Sequence, residues 1–375
     1  MSERVSPPIQ EHIAPEKDSI ESLDGLFYQL GKITLPSRSS AQAGTTPEIR
    51  RPLSVLRKRA ELFEQFQATP RYDKEGRQAI LAEARARDLL ATNFLNQSDI
   101  TVNIPGFGEQ SARFNRLEPI SGIEREEGLP PIVIIPGISN DLGSIAPIAQ
   151  EIALRGREVI SIGYPEGFMG TMTDAFVEEI ARYKSFRPHA DFFSAAVNHL
   201  TSGTEIDLWG LSTGCAVTGY LLQEEAFQNQ VRNAVLFAPA ASVDQSKVKM
   251  GMGVVREMGA LVGNIDVLPH TVITTGRKEQ EDADQLRRRK VVFKALQDAV
   301  SKNCGVWDEM KVKEGGEITY VVGGKDQITK CYLAVDEFKQ NPQADVIVLP
   351  NAGHQMTMMG PHIIDRVFAR QRKPQ

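Results

Sequence analysis

The chain has 375 residues, 41% hydrophobic and 24% charged, with three cysteines and a formal net charge of −5. That composition excludes a collagen-like, wholly disordered or disulfide-scaffold protein, and the mild acidity gives no global attraction to nucleic acid or anionic lipid. The length exceeds a minimal domain and fits either two or three units or one large α/β domain carrying an insertion.

The chain opens Met1-Ser2-Glu3-Arg4 and stays polar through Glu11, Glu16, Lys17 and Asp18, with no apolar core of an export signal. No window approaches the roughly 18 apolar residues of a spanning helix, so a cytoplasmic location without a transmembrane segment is the expectation. Cys215, Cys304 and Cys331 are far apart and form no Cys-x-x-Cys pair, as reduced thiols do. His12, His189, His199, His270, His354 and His362 are scattered without zinc-site spacing, so no metal and no other cofactor is expected.

Residues 1–47 are rich in Pro, Ser, Thr, Gln and Glu and read as an arm. Two helical patterns follow. Over 52–67, Leu53, Leu56, Ala60 and Phe63 share one face; over 73–94, Ile80, Leu81, Ala84 and Ala91 do. Arg50, Arg51, Arg57, Lys58 and Arg59 lie in or beside the first helix, but Glu61 and Glu64 follow at once, which favours a solvated face over a nucleic-acid or membrane patch. Residues 1–98 are therefore taken as an N-terminal arm and helical extension.

From residue 99 the pattern changes to strands alternating with helices. Segments 100–104 and 111–117, joined through Pro105-Gly106-Phe107-Gly108, predict a β-hairpin. The apolar run 131–135 predicts a strand buried on both faces. A helix over 144–155, a strand over 158–162, a helix-rich stretch to Ser202 and a strand over 205–209 come next. A helix over 215–223, strands over 234–238, 318–322 and 345–349, and a helix over about 361–371 complete the series. A hairpin followed by repeated βα units predicts a mainly parallel sheet flanked by helices on both faces.

The chemistry gathers at strand ends. Strand 205–209 runs straight into Gly210-Leu211-Ser212-Thr213-Gly214, with a helix immediately after, which is a nucleophile elbow in its strand–turn–helix context. Such a turn strains the serine backbone, small residues two positions either side let strand and helix approach, and the helix N-terminus offers free N–H groups. A serine hydroxyl needs a base, itself oriented by an acid. Downstream, strand 318–322 leads into Gly323-Gly324-Lys325-Asp326, and strand 345–349 into Pro350-Asn351-Ala352-Gly353-His354. Ser212, Asp326 and His354 thus all fall at carboxyl ends of strands, where open α/β sheets place their reactive groups. Asp244 is a rival acid and His362 a rival base.

A tetrahedral oxyanion needs a pair of N–H donors. One is the Thr213 backbone. The other comes from the loop Pro136-Gly137-Ile138-Ser139-Asn140, where Gly137 permits a tight turn aiming the Ile138 N–H at the site. The Ser139 and Asn140 side chains are further candidates, although turn stabilisation is their commoner role.

On these motifs and their order, residues 99–372 resemble the α/β-hydrolase superfamily of serine hydrolases. Two departures stand out. Pro136-Gly137 occupies the oxyanion turn where the family often has His-Gly, and Cys215 stands where the elbow often continues with a second glycine. The resemblance implies acyl chemistry without choosing among esters, thioesters and amides. A serine at 212 speaks against an epoxide hydrolase or dehalogenase, which would use aspartate there. The expected function is hydrolysis of a small-molecule carboxylic ester through a Ser212–His354–Asp326 triad and an acyl-enzyme intermediate. The alternatives are an acyltransferase or thioesterase with the same residues, or a non-catalytic binding protein on this fold.

The resemblance also places a lid over about 241–316 of a hydrolase domain spanning 99–375. The first half of that insertion carries Met250, Met252, Val254, Val255, Met258, Leu261 and Val262. They suit either an adaptable wall for an acyl chain or simple packing onto the domain. Its second half is a charged helix, 282–302, whose Arg287, Arg288 and Arg289 read as a solvated face before an anion contact. Met356, Met358 and Met359 fit a pocket rim or the packing of a helix start. Oligomeric state is not legible.

Overall fold

Continuous apolar runs have no solvent face, and here they occupy the middle of one sheet. The computed structural model describes residues 97–118, 128–138, 142–153, 155–167, 170–253, 283–350 and 352–354, with single positions 65, 76, 79, 364, 367 and 368. Its elements are β1 (Gln97–Ile104), β2 (Gly108–Leu117), β3 (Ile132–Ile135), α1 (Leu142–Ala153), β4 (Val159–Ile162), α2 (Asp174–Tyr183), α3 (Arg187–Thr201), β5 (Ile206–Leu211) and α4 (Thr213–Leu221). These are followed by α5 (Glu225–Gln230), β6 (Val231–Phe237), α6 (Ala283–Val300), β7 (Ile318–Gly323), a 3-10 turn (Cys331–Ala334), α7 (Val335–Phe338) and β8 (Ala344–Leu349).

Among the described residues the eight strands form one sheet in the order β1-β2-β4-β3-β5-β6-β7-β8. β2 is antiparallel to β1 and to β4, and every other neighbouring pair is parallel. β3, β4, β5 and β7 are buried at every position, as strands covered on both faces must be. β1 lies at the sheet edge and alternates instead: Ile100, Val102 and Ile104 turn inward while Thr101 and Asn103 are exposed.

The two-residue period of a strand divides the apolar residues between two cores. Val133, Ile135, Ile160, Ile162 and Leu208 point to one face and pack with Phe176 of α2, Phe192 and Phe193 of α3, and Val217 of α4. Ile132, Ile134, Val159, Trp209 and Val235 point to the other, against Ile145, Ile148 and Ile152 of α1 and against Val367 and Phe368. Each such side chain contributes about 1.5–3 kcal/mol on burial. A one-residue slip of any central strand would exchange its two sets.

Strand order also places the working edge. From β3 the chain winds through α1 to β4 on one side, then crosses to β5 on the other, so β3 sits between β4 and β5. Where the winding reverses, the loops leaving adjacent strands diverge and open a crevice at their carboxyl ends. The residues leaving β3 and β5 there include Ile138 and Ser212.

Element ends differ from expectation in an informative way. β5 continues through Gly210 and Leu211, because both pair with Leu236 and Phe237 of β6, and α4 starts at Thr213. Ser212 is thus the single residue between strand and helix. The helix-rich stretch before Ser202 is α2, capped by a Thr173 hydroxyl that accepts the Phe176 N–H at 3.3 Å, and α3, with Pro188 in its first turn. The charged helix of the insertion is α6. Arg288 binds Asp174 at 2.8 Å and the Met172 carbonyl at 2.9 Å, and Arg289 binds the Gly167 carbonyl at 2.7 Å. Two of the three arginines therefore tie α6 to the segment after β4, while Arg287 is 68% exposed.

The arm 1–47, the helices expected over 52–67 and 73–94 (single helical positions aside), the insertion's 254–282 and Met356, Met358 and Met359 lie outside the described residues. Of the expected 361–371 helix, Ile364, Val367 and Phe368 are described, helical and buried. Among the described residues no helix is long and apolar enough to cross a membrane.

Candidate active site

A serine between a strand and a helix with no intervening loop has to turn the chain by itself. Ser212 does so at φ 55° and ψ −117°, a left-handed conformation that costs a non-glycine residue about 1–3 kcal/mol. Its surroundings hold it there. The Ser212 N–H donates to the Phe237 carbonyl at 2.8 Å, and its own carbonyl accepts from Cys215 N–H at 3.0 Å and Ala240 N–H at 3.1 Å. The flanking glycines are demanded by space. A Cβ at Gly214 would lie 2.2 Å from the Ile135 carbonyl oxygen, and one at Gly210 would lie 2.9 Å from the Cys215 backbone. Cys215, the departure from the usual second glycine, is accommodated. Its buried thiol donates to the Gly210 carbonyl at 3.2 Å and the Phe237 carbonyl at 3.3 Å, and burial pushes the thiol well above its ordinary range.

The strained turn presents the Ser212 hydroxyl 2.9 Å from Nε2 of His354, 142 residues away in sequence. Nδ1 of His354 lies 3.0 Å from Oδ2 of Asp326. Two backbone bonds join the loops after β7 and β8 and so bring acid and imidazole together: Gly324 N–H to the Leu349 carbonyl and Lys325 N–H to the Ala352 carbonyl, both 2.9 Å.

Asp326 is fully buried. Burial alone would raise its carboxyl, but the facing His354 charge, the His354 hydrogen bond and the Thr329 donors outweigh it and hold the group down to about 2. Oδ1 accepts from the Ile328 and Thr329 N–H groups, each at 2.9 Å, and Oδ2 from the Thr329 hydroxyl at 2.6 Å and the Cys331 thiol at 3.5 Å. An ionised carboxylate only accepts, so the proton between them sits on Nδ1 of His354. When the imidazole carries that proton alone and is neutral, Nε2 is the acceptor and the Ser212 hydroxyl donates to it. This is the protonation pattern in which an imidazole can draw the proton from a serine.

Other expected residues fall in different places. Oδ1 of Asp244 accepts the Asn303 N–H at 2.9 Å, which ties the start of the insertion to the residues just after α6. His362, Ser139 and Asn140 lie outside the described residues. Ile138 and Thr213 do meet, though not as two independent amides: the Ile138 N–H donates to the Thr213 hydroxyl at 2.6 Å.

Several polar groups at this edge went unread in the sequence. Thr329 holds both oxygens of Asp326. Tyr164, two residues past β4, places a buried hydroxyl beside Thr213. Behind it His189 and Glu166 form a fully buried pair at 2.9 Å, with the Tyr164 and Phe176 rings edge-on to the imidazole. Tyr164 carried a usable signal, a strand-end position in Gly163-Tyr164-Pro165. The pairing of His189 with Glu166 carried none, because 23 residues and a helix start separate them. Among the described residues no group of three or more His, Cys, Asp or Glu side chains is placed to hold a metal ion.

No family model matches the chain, and no curated protein matches it by sequence. Solved structures do match. One is assigned as a hydrolytic enzyme from Pseudomonas aeruginosa PAO1, 14% identical, covering 76% of this chain and 96% of its own, with a TM-score of 0.52. A protein assigned as an aryl esterase from Burkholderia cenocepacia is 18% identical, covers 73% and 97%, and has a TM-score of 0.50. A protein assigned as a hydrolase from Rickettsia typhi is 15% identical, covers 74% and 99%, and also has a TM-score of 0.50. At such identities the likeness establishes a shared fold, and activity has to be argued from the site.

Proposed function

We propose, for a chain that carries the α/β-hydrolase fold, that it is a serine hydrolase cleaving carboxylic esters through an acyl-enzyme intermediate. In this reading Ser212 Oγ attacks the acyl carbonyl while His354 Nε2 takes its proton. The resulting imidazolium, steadied by Asp326, returns that proton to the departing alkoxide. The Thr213 N–H, at the start of α4, holds the oxyanion, and the second donor comes from the place where the Ile138 turn meets Thr213. Water, activated by the same imidazole, then releases the acid and frees Ser212. Residues 99–375 form the hydrolase domain in this reading, 241–316 its lid, and 1–98 an extension of it.

The observation that carries the proposal is the unbroken hydrogen-bond chain from the strained Ser212 through His354 to an ionised, fully buried Asp326. A structural serine has no need of that arrangement, since strain and a buried charge both cost stability. Names given to the structural relatives add a small ester as the substrate class to try first.

The test is fluorophosphonate labelling of wild type and Ser212→Ala, run beside an activity screen on esters of graded acyl length. Labelling and turnover present in wild type and absent in Ser212→Ala support the reading. Equal labelling of both proteins removes Ser212 from it. Turnover only when an alcohol or thiol acceptor is supplied converts it to acyl transfer.

A further inference from the structure

An amide carries one hydrogen. In the resting structure that of Ile138 is spent on the Thr213 hydroxyl at 2.6 Å, inside a site where Thr213 is 4% exposed and water cannot easily take its place. Thr213 is the residue directly after Ser212, and its hydroxyl lies against the amide of the loop that leaves β3. The Tyr164 hydroxyl also lies close to Thr213, is itself buried and, among the described residues, meets no group in a formed hydrogen bond. Its approach to Thr213 is too long or too oblique to count as one. Burial, the largest influence on it, keeps the phenol protonated well above its ordinary range, so it remains a donor.

We propose that the Thr213 side chain is itself an oxyanion donor, set in place by Ile138 and Tyr164. A threonine oxygen has two lone pairs and one proton. The Ile138 N–H occupies one lone pair. The Tyr164 O–H, turning slightly once charge develops nearby, occupies the other. Only the threonine proton then remains uncommitted, and the reacting acyl oxygen on Ser212 is the acceptor beside it. Two donors into one oxygen polarise its O–H bond and strengthen the bond it gives. The proton stays on Thr213 throughout, as in any oxyanion hydrogen bond. Thr213 touches the reacting atom by N–H and O–H together, whereas Tyr164 acts through Thr213 and is a positioning residue. The inference rests on Ser212 being the nucleophile of the proposed function and extends it to how the charge is held.

The opposite arrangement has the opposite sign. Were the threonine hydroxyl a mere placeholder on the Ile138 amide, its removal would release that amide and speed the reaction. Full-length wild type, Thr213→Val, Thr213→Ser, Tyr164→Phe and the Thr213→Val/Tyr164→Phe double variant are compared. The readouts are the second-order rate of Ser212 phosphonylation by a fluorophosphonate, kcat and KM on the best ester, and the thermal midpoint.

Loss of one oxyanion donor predicts a fall of about 10²-fold in phosphonylation rate and kcat for Thr213→Val, with KM nearly unchanged. Thr213→Ser should recover most of that loss. Tyr164→Phe should slow the wild type several-fold but have no further effect once Thr213 is valine. A Thr213→Val protein as fast as wild type or faster overturns the proposal, and so does a serine variant as slow as the valine one. Equal Tyr164→Phe effects in both backgrounds remove Tyr164 from it. The phosphonylation rate keeps the two proposals apart. Labelling without ester turnover sinks the esterase reading and leaves these rates to decide about Thr213, while an unlabelled Ser212 in wild type sinks both.

Discussion

Two buried carboxylates sit at opposite ends of the same sheet, and β5 carries a link to each. Asp207, near the start of β5, is fully buried and meets Arg157 at 2.7 Å and Arg232 at 2.7 and 3.1 Å, with Asn233 adding its backbone and side-chain N–H groups. Asp326 is equally buried and equally surrounded by donors, but the ring facing it is that of His354, whose other nitrogen faces Ser212 at the far end of β5. The first site is built from permanent charges and ties β5 to β6 and to the turn before β4. The second contains an imidazole, which can take a proton at one nitrogen while holding one at the other, as proton transfer requires. Two guanidinium groups stabilise a fold, whereas one imidazole lets a carboxylate take part in chemistry.

Substitutions at the two ends should therefore separate activity from stability. Asp326→Asn is expected to lower ester turnover about 10⁴-fold, because the amide favours the wrong imidazole tautomer, while stability near neutral pH falls by only about 2 kcal/mol. Turnover within tenfold of wild type would show that His354 needs no such partner. Asp207→Asn should do the reverse. With two guanidinium groups left facing a neutral side chain, stability should fall by about 3–5 kcal/mol in denaturant titration, with kcat per folded molecule preserved. A small loss there would mean that Arg157 and Arg232 find other partners.

The acid limb sharpens the same contrast. Asp326 is held below its unfolded value, so it stabilises the fold at pH above about 4 and loses that contribution as pH falls through about 2. The amount is on the order of 2 kcal/mol. Stability curves of wild type and Asp326→Asn should therefore converge between pH 4 and 2, and parallel curves would contradict the low value. The smallest expected effect is at the elbow. Ser212→Gly relieves a left-handed backbone that Ser212→Ala retains, so the glycine variant should be about 1 kcal/mol the more stable of the two, both being inactive. Equal midpoints would mean the turn is not strained.

Much of this architecture was legible because the signals are local. The apolar run over β3 read as a strand buried on both faces, and the β1–β2 hairpin was marked by its Pro105-Gly106-Phe107-Gly108 turn. Gly210 and Gly214 mark the elbow because strand and helix crowd the backbone within five residues. Strand boundaries were less legible. β5 runs to Leu211 because β6 lies alongside to receive Gly210 and Leu211, a fact held in pairing and absent from the local pattern. α6 was read correctly as a helix, but its arginines were read as a solvated face. Arg288 and Arg289 are instead used by the segment after β4, more than a hundred residues upstream.

The length and composition left open how many units the 375 residues make, and the motif order pointed to one α/β sheet over most of them. By itself the sequence determined which residues end strands at the working edge: Ser212, Asp326 and His354, each announced by glycine and by its neighbours. Only the tertiary structure decided what those residues meet. The Ser212 and His354 side chains touch across 142 residues, and the Ile138 amide reaches the Thr213 hydroxyl across 75. Backbone turns are encoded by nearby residues through sterics. Hydrogen bonds between distant loops depend on strand order and on side-chain rotamers a few ångströms apart, and no short stretch of sequence contains that information.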